Sequence, residues 1–181
     1  MPVTDATSQS SWPIVRNETL RLSSGVWGSG GSVWGTDGVT PVVDQLEVTE
    51  AVAPAEVARA LGVSLVWRRS RRYLVGGAPV MLAVSHVPGD LAVGTRITEL
   101  DSGPGGVFAR LAEVGHGPVW FSEDVWADNP SDEEQDRLRI DYGVPVLRAL
   151  RAASAQGGRV VEVSQMVMVS YALRLRFEFP A

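Results

Sequence analysis

Four arginines fall within five residues: Arg68, Arg69, Arg71 and Arg72, interrupted by Ser70 and flanked by Trp67 and Tyr73. A guanidinium is planar, always charged and built to grip a carboxylate, phosphate or other oxyanion with paired N–H donors. The run reads as a strand, so its side chains alternate. Trp67, Arg69, Arg71 and Tyr73 share one face, and Arg68, Ser70 and Arg72 share the other. Both faces carry guanidinium groups. At least one core-facing arginine therefore needs a partner, whether a carboxylate, an anionic ligand or water.

The strand belongs to a predicted hairpin spanning Val66 to Pro88. Gly76-Gly77 is the turn, because glycine accepts positive φ, and Pro79 stands near the start of the second strand. A second stretch of interest is Gly25 to Gly38, rich in glycine and carrying Trp27 and Trp34. No Gly-Lys-Ser/Thr follows it, so it is not a phosphate loop. Two readings stand side by side: a flexible loop, or a lid whose two indoles close over a ligand. Other chemistry is sparse. There is no cysteine, His86 and His116 are the only histidines, and no metal-ligand spacing or nucleophile–base–orienter set is visible. No metal and no cofactor is expected.

Elements that position these residues follow from periodicity and turn signals. Ile14 to Leu22 and Pro41 to Glu50 read as strands. Pro54 opens a helix that ends at Gly62. Gly89 to Leu100 reads as a connection, and Val107 to Glu113 as a short helix. Val119 to Ala127 alternates as a strand, and Ser131 with Glu134 forms a capping box for a helix ending near Ile140. Three strands close the chain: Pro145 to Ala153, Arg159 to Val169 and Tyr171 to Phe179. Six or more strands joined by hairpins, with few helices, imply an α+β class: a mainly antiparallel sheet with short helices on one side.

The chain has 181 residues, enough for one domain with a sizeable core, expected over residues 14–181 behind a loose polar tail at 1–13. The net charge is −5, and the basic cluster lies on a strand rather than a recognition helix, so direct DNA binding is not expected. No apolar run approaches a membrane span and no secretory signal is visible, so the expectation is cytoplasmic, with no membrane partner. All 16 basic residues are arginine, which reads as genome composition.

The order of elements and their local motifs resemble the UTRA domain, the effector-binding half of GntR-type transcription regulators of the HutC subfamily, with a chorismate lyase-like fold. The matching stretches are A-P-A-E-V-A-R-A-L-G-V at 53–63, the arginine strand with G-G-A-P-V and V-S-H-V-P, and G-G-V-F-A-R-L at 105–111. They continue with E-D-V-W-A at 123–127, L-R-I-D-Y-G-V-P-V-L-R at 138–148 and G-G-R-V-V-E-V-S at 157–164. Each is weak alone; six in order, from about Arg16 to Phe179, make the match.

The resemblance implies a small-molecule ligand and a homodimer, with Tyr171–Phe179 as an exposed sheet edge for pairing. It also implies site residues. Arg71 matches the first of two pocket arginines, whereas Tyr73 stands in place of the second. Ala83 replaces a carboxylate, Gly106 a serine and Met168 a tyrosine, while Glu162 keeps the family's glutamate. Arg71 and Glu162 are expected to face one cavity and to pair when no ligand is bound. Met81, Ala83, Val107, Met166 and Met168 are expected to hold a largely apolar ligand body, with Trp27 and Trp34 closing the mouth. The winged helix–turn–helix of such regulators is missing, so the chain is expected to be either an excised effector domain or a stand-alone relative, the Met1-Pro2 start suggesting the latter. The alternative is an enzyme on the same fold, a lyase, cyclase or isomerase using Arg71 and Glu162 as catalytic residues.

Overall fold

The computed structural model describes residues 13–31 and 34–180. Its elements are β1 (Ile14–Asn17), α1 (Glu18–Arg21), α2 (Ser24–Trp27), β2 (Val42–Val52), α3 (Ala55–Leu61), β3 (Leu65–Val75) and β4 (Ala78–Pro88). They continue with α4 (Gly89–Ala92), α5 (Gly106–Glu113), β5 (Pro118–Asp128), α6 (Asp132–Leu138), β6 (Val146–Ala155), β7 (Val160–Val169) and β8 (Leu173–Arg176). Short 3-10 turns stand at Gly35–Asp37 and Arg96–Thr98. No helix among the described residues is long and apolar enough to cross a membrane. Apart from Pro13, the N-terminal tail expected at 1–13 lies outside the described residues.

Strands β2 to β7 form one six-stranded antiparallel sheet in the order β2-β3-β4-β7-β6-β5. The β3–β4 turn is made by Gly76 and Gly77, both at positive φ (57° and 82°), as the hairpin requires. Register then decides which residues share a face. Arg71 lies opposite Ala83, Tyr73 opposite Met81, and Ala83 and Met81 in turn opposite Met166 and Met168 on β7. The other face carries Arg68, Ser70, Arg72, Leu82 and His86.

Helices pack on both faces, not on one. Val57 and Leu61 of α3 bury against Val66 and Val163. Val107 and Leu111 of α5 bury against Val87, Ala153 and Val161 on the opposite side. The sheet is interior on both sides in its centre, so β4 is buried along most of its length. The capping box of α6 forms as expected, Ser131 accepting from the Glu134 amide while Glu134 accepts from the Ser131 amide.

Two strand expectations change. The run from Ile14 to Leu22 is extended only to Asn17, whose side chain accepts from the Leu20 amide and starts α1. Buried Glu18 and Arg21 then need helical placement to reach their partners. Strand β8 does not extend the main sheet; it pairs in parallel with β1 in a separate two-stranded ribbon, Ile14 opposite Leu173 and Asn17 opposite Arg176. The free sheet edges are therefore β2 and β5, not Tyr171–Phe179. The ribbon fastens the N-terminal arm, β1 to the Gly35–Asp37 turn, across the face that carries Arg71.

Candidate functional site

Alternation on β3 places Arg69, Arg71 and Tyr73 on the face under the arm, and each finds a different environment. Arg69, only 2% exposed, donates to the carbonyl oxygens of Ile97 (2.7 Å), Leu100 (2.9 Å) and Glu99. The partner required for a core-facing guanidinium is thus the backbone of the connection after α4. Burial, then the neighbouring Arg71, pulls its pKa down to about 10, still protonated at neutral pH. On the opposite face Arg72 forms a bidentate pair with Asp44 (2.8 and 2.6 Å), and Arg68 pairs with Glu47 (2.9 Å).

Arg71 is left to a cavity of about 140 Å³. Its Nη2 donates to Ser85 Oγ at 2.7 Å, Ser85 Oγ lies 3.2 Å from Ser164 Oγ, and Arg71 Nε has no acceptor among the described residues. Glu162 faces the same cavity from β7 and is 4% exposed. Among the described residues neither Arg71 nor Glu162 forms an ion pair, so the expected direct pairing of the two is not made. Arg71, held by Ser85, and Glu162, in the field of Arg69 and Arg151, face one small space.

Of the other expected site residues, Tyr73, Met81, Ala83, Gly106, Val107, Met166 and Trp34 line the cavity. Gly106 opens α5, and Gly105 before it must be glycine: its φ is +76° and a Cβ would fall 2.2 Å from the Trp27 carbonyl oxygen. Trp34 is buried against Tyr73, ring centroids 5.2 Å apart. Trp27 and Met168 do not reach the cavity. Trp27 packs edge-on to Phe108 and donates from Nε1 to the Leu22 carbonyl; it anchors the arm rather than closing a mouth. Met168 is fully buried beneath Arg16. Of the histidines, His86 lies on the far face with Nδ1 3.3 Å from the Val163 carbonyl, and His116 does not line the cavity.

Sequence reasoning missed the largest contribution. Arg16 and Arg21 enter the lining from the arm and Arg151 from β6. They share Glu18, whose carboxylate is fully buried and lies 2.9 Å from Arg16 Nε, 3.7 Å from Arg21 Nε and 2.5 Å from Arg151 Nη2. Arg151 also meets Glu123 at 2.9 Å, and Arg21 meets Asp37. Burial favours the neutral form of Glu18, but Arg16, Arg151 and Arg21 outweigh it and hold the carboxyl below its usual range. Burial, then Arg21, lowers Arg16 to about 10. Ser85 and Ser164 were also missed, although they stand in quoted motifs; the usable signal was that Ser85 faces Arg69 across the hairpin, one pair from Arg71. The lining is accordingly more charged than the string of Ala, Gly and Met positions suggested.

The family model described as the UTRA domain matches residues 36–174. An HTH-type transcriptional regulator of Streptomyces coelicolor is 32% identical over 121 residues, 64% of this chain and 45% of that protein. One of Mycobacterium tuberculosis is 28% identical over 130 residues, 70% of this chain and 48% of that protein. The chain thus spans about half the length of these curated relatives. PhnF from Mycobacterium smegmatis has the same fold, with a TM-score of 0.75 at 17% identity over 93% of this chain and 72% of that one. Its excised effector domain gives 0.70 at 18% identity, over 82% of this chain and 93% of that one. The family match takes in every strand and helix that builds the cavity except the N-terminal arm, and on its extent this chain belongs to the UTRA domain family.

Proposed function

We propose that this UTRA domain binds a small-molecule effector in the cavity beneath the arm. Arg71 receives an oxyanion of the ligand, and Glu162 accepts a hydrogen bond from a ligand hydroxyl or similar donor. The observation that carries this is the pair itself: half-buried Arg71 and buried Glu162 are directed at one cavity, and neither forms an ion pair among the described residues, in a setting where burying charge without a partner is costly. The hydroxyls of Ser85 and Ser164 extend the polar end. At about 140 Å³ the cavity has room for roughly five waters by liquid volume, so the ligand is small. Tyr73, Ala83 and Val107 pack around its short apolar part.

The output is proposed to be transcriptional, by analogy with the HTH-type regulators of which this chain matches about half, with this domain as the sensing half of a homodimer. The exposed edge strands β2 and β5, with Trp120 and Trp126 on β5, are the available pairing surfaces. With a net charge of −5, the domain itself is not proposed to read duplex DNA. Over the enzyme alternative using Arg71 and Glu162, this reading is supported by the matched relatives, which are HTH-type transcriptional regulators, and by the likeness to the PhnF effector domain.

Native mass spectrometry of the chain purified under gentle conditions tests the ligand site. A small-molecule adduct is expected on the wild type, absent from Arg71→Met and weakened in Glu162→Gln. An adduct retained in full by Arg71→Met would refute the assignment.

A further inference from the structure

The arm brings a second cation to the cavity whose donors are poorly used. Arg16 is 1% exposed and lines the cavity. Its Nε faces Glu18 and its guanidinium lies 5.4 Å from the Trp34 ring centre, but among the described residues the acceptors of its two terminal nitrogens are thioethers: Met81 Sδ at 2.9 Å and Met168 Sδ at 3.3 Å from Nη1, and Met166 Sδ at 3.9 Å from Nη2. Sulfur is a weak acceptor, and a buried guanidinium gains most from oxyanions. Glu18 does not meet the need alone, since it is shared with Arg21 and Arg151. The guanidinium stays protonated at neutral pH. Arg16 lies outside the stretch matched by the family model, residues 36–174.

We propose that Arg16 is a second anion-binding residue of the cavity, and that the ligand is a short organic dianion: one carboxylate-type head on Arg71, one on Arg16, with a hydroxyl between them facing Glu162. This rests on the ligand reading above and adds the substrate class to it. The ligand's second head replaces the sulfur contacts on the Nη groups. Glu18 keeps Arg151, and the two arginines neutralise the two heads. The cavity's volume of about 140 Å³ favours a short spacer between the heads. Arg16 thereby ties ligand occupancy to the position of the arm.

The test compares malate with 3-hydroxybutyrate, which has a methyl group where malate has its second carboxylate. Isothermal titration is run on the full chain as wild type, Arg16→Met, Arg16→Lys and Arg71→Met, with near-ultraviolet circular dichroism, to which the arm's buried Trp27 and Trp34 contribute, reporting whether the arm remains packed. The wild type is expected to bind malate about tenfold or more tightly than 3-hydroxybutyrate, the gain of one charge-assisted contact. Arg16→Met should abolish that preference and leave 3-hydroxybutyrate within about threefold of wild type; Arg16→Lys should keep part of the preference. If Arg16→Met releases the arm, the Arg16→Lys comparison decides. Equal binding of the two acids by the wild type, binding of neither, or a malate preference that survives Arg16→Met with the arm packed overturns the dianion inference. Loss of 3-hydroxybutyrate binding in Arg71→Met, with no dependence of preference on Arg16, leaves the Arg71 site standing and removes only the second subsite.

Discussion

Replacing Glu18 by glutamine removes the one carboxylate shared by three buried arginines while keeping the side chain's shape. Glu18 is fully buried and reaches Arg16 at 2.9 Å, Arg21 at 3.7 Å and Arg151 at 2.5 Å. Asp37 still serves Arg21 and Glu123 still serves Arg151, so the stranded charge is chiefly that of Arg16. Stripping one partner from a buried pair costs about 3–5 kcal/mol. For a domain of this size that corresponds to a fall in Tm of roughly 6–20 °C. The loss has a ceiling, because the arm can undock locally once its docking free energy is exceeded. In that case the near-ultraviolet signal, to which the arm's buried Trp27 and Trp34 contribute, should fall in a transition below global unfolding. Urea titration followed by circular dichroism in the near ultraviolet, for aromatic packing, and in the far ultraviolet, for the backbone, separates the two regimes. Since an uncompensated charge, not lost packing, causes the penalty, Arg16→Met added to Glu18→Gln should recover about 1–3 kcal/mol. A Glu18→Gln chain within about 0.5 kcal/mol of wild type and with its arm packed, or a double variant that is fully additive, would refute the account of the arm as charge-anchored.

Three further outcomes are expected. Arg69→Met orphans the carbonyls of Ile97, Glu99 and Leu100 and should cost about 3 kcal/mol, with faster amide exchange confined first to the connection after α4; unchanged exchange there would contradict the role given to Arg69. Ser131→Ala removes the α6 cap and should cost about 1 kcal/mol in urea unfolding, whereas Ser131→Asp should cost little. Burial lowers the pKa of His86 from its ordinary 6.5, so the unfolded chain takes up the proton first as pH falls. Its stabilising contribution is complete above about pH 6.5 and is lost as pH drops from there through the folded-state value. The Tm difference between wild type and His86→Gln should therefore shrink on acidification across that window; a difference independent of pH would refute it.

The β3–β4 hairpin, α3, α5 and α6 were legible because their signals are local: two glycines able to take positive φ, Gly62 past the end of α3, a serine and glutamate three residues apart. The family motifs lie on the same elements, and they led to Arg71 and Glu162. Which partner each charge takes was not legible. Arg71 and Arg69 occupy equivalent places in the alternation, yet the backbone carbonyls of residues 97–100 claim one and leave the other facing the cavity. Arg16 looks like any polar residue of a leading strand. It enters the cavity only because β1 pairs in parallel with β8, from the far end of the chain, and lays the arm over the sheet. Short-range pattern encodes turns, caps and alternation, since their energetics are settled within a few residues. Long-range strand pairing and the sharing of one buried carboxylate among three arginines arise from close packing of segments distant in sequence, and the tertiary structure alone decided them.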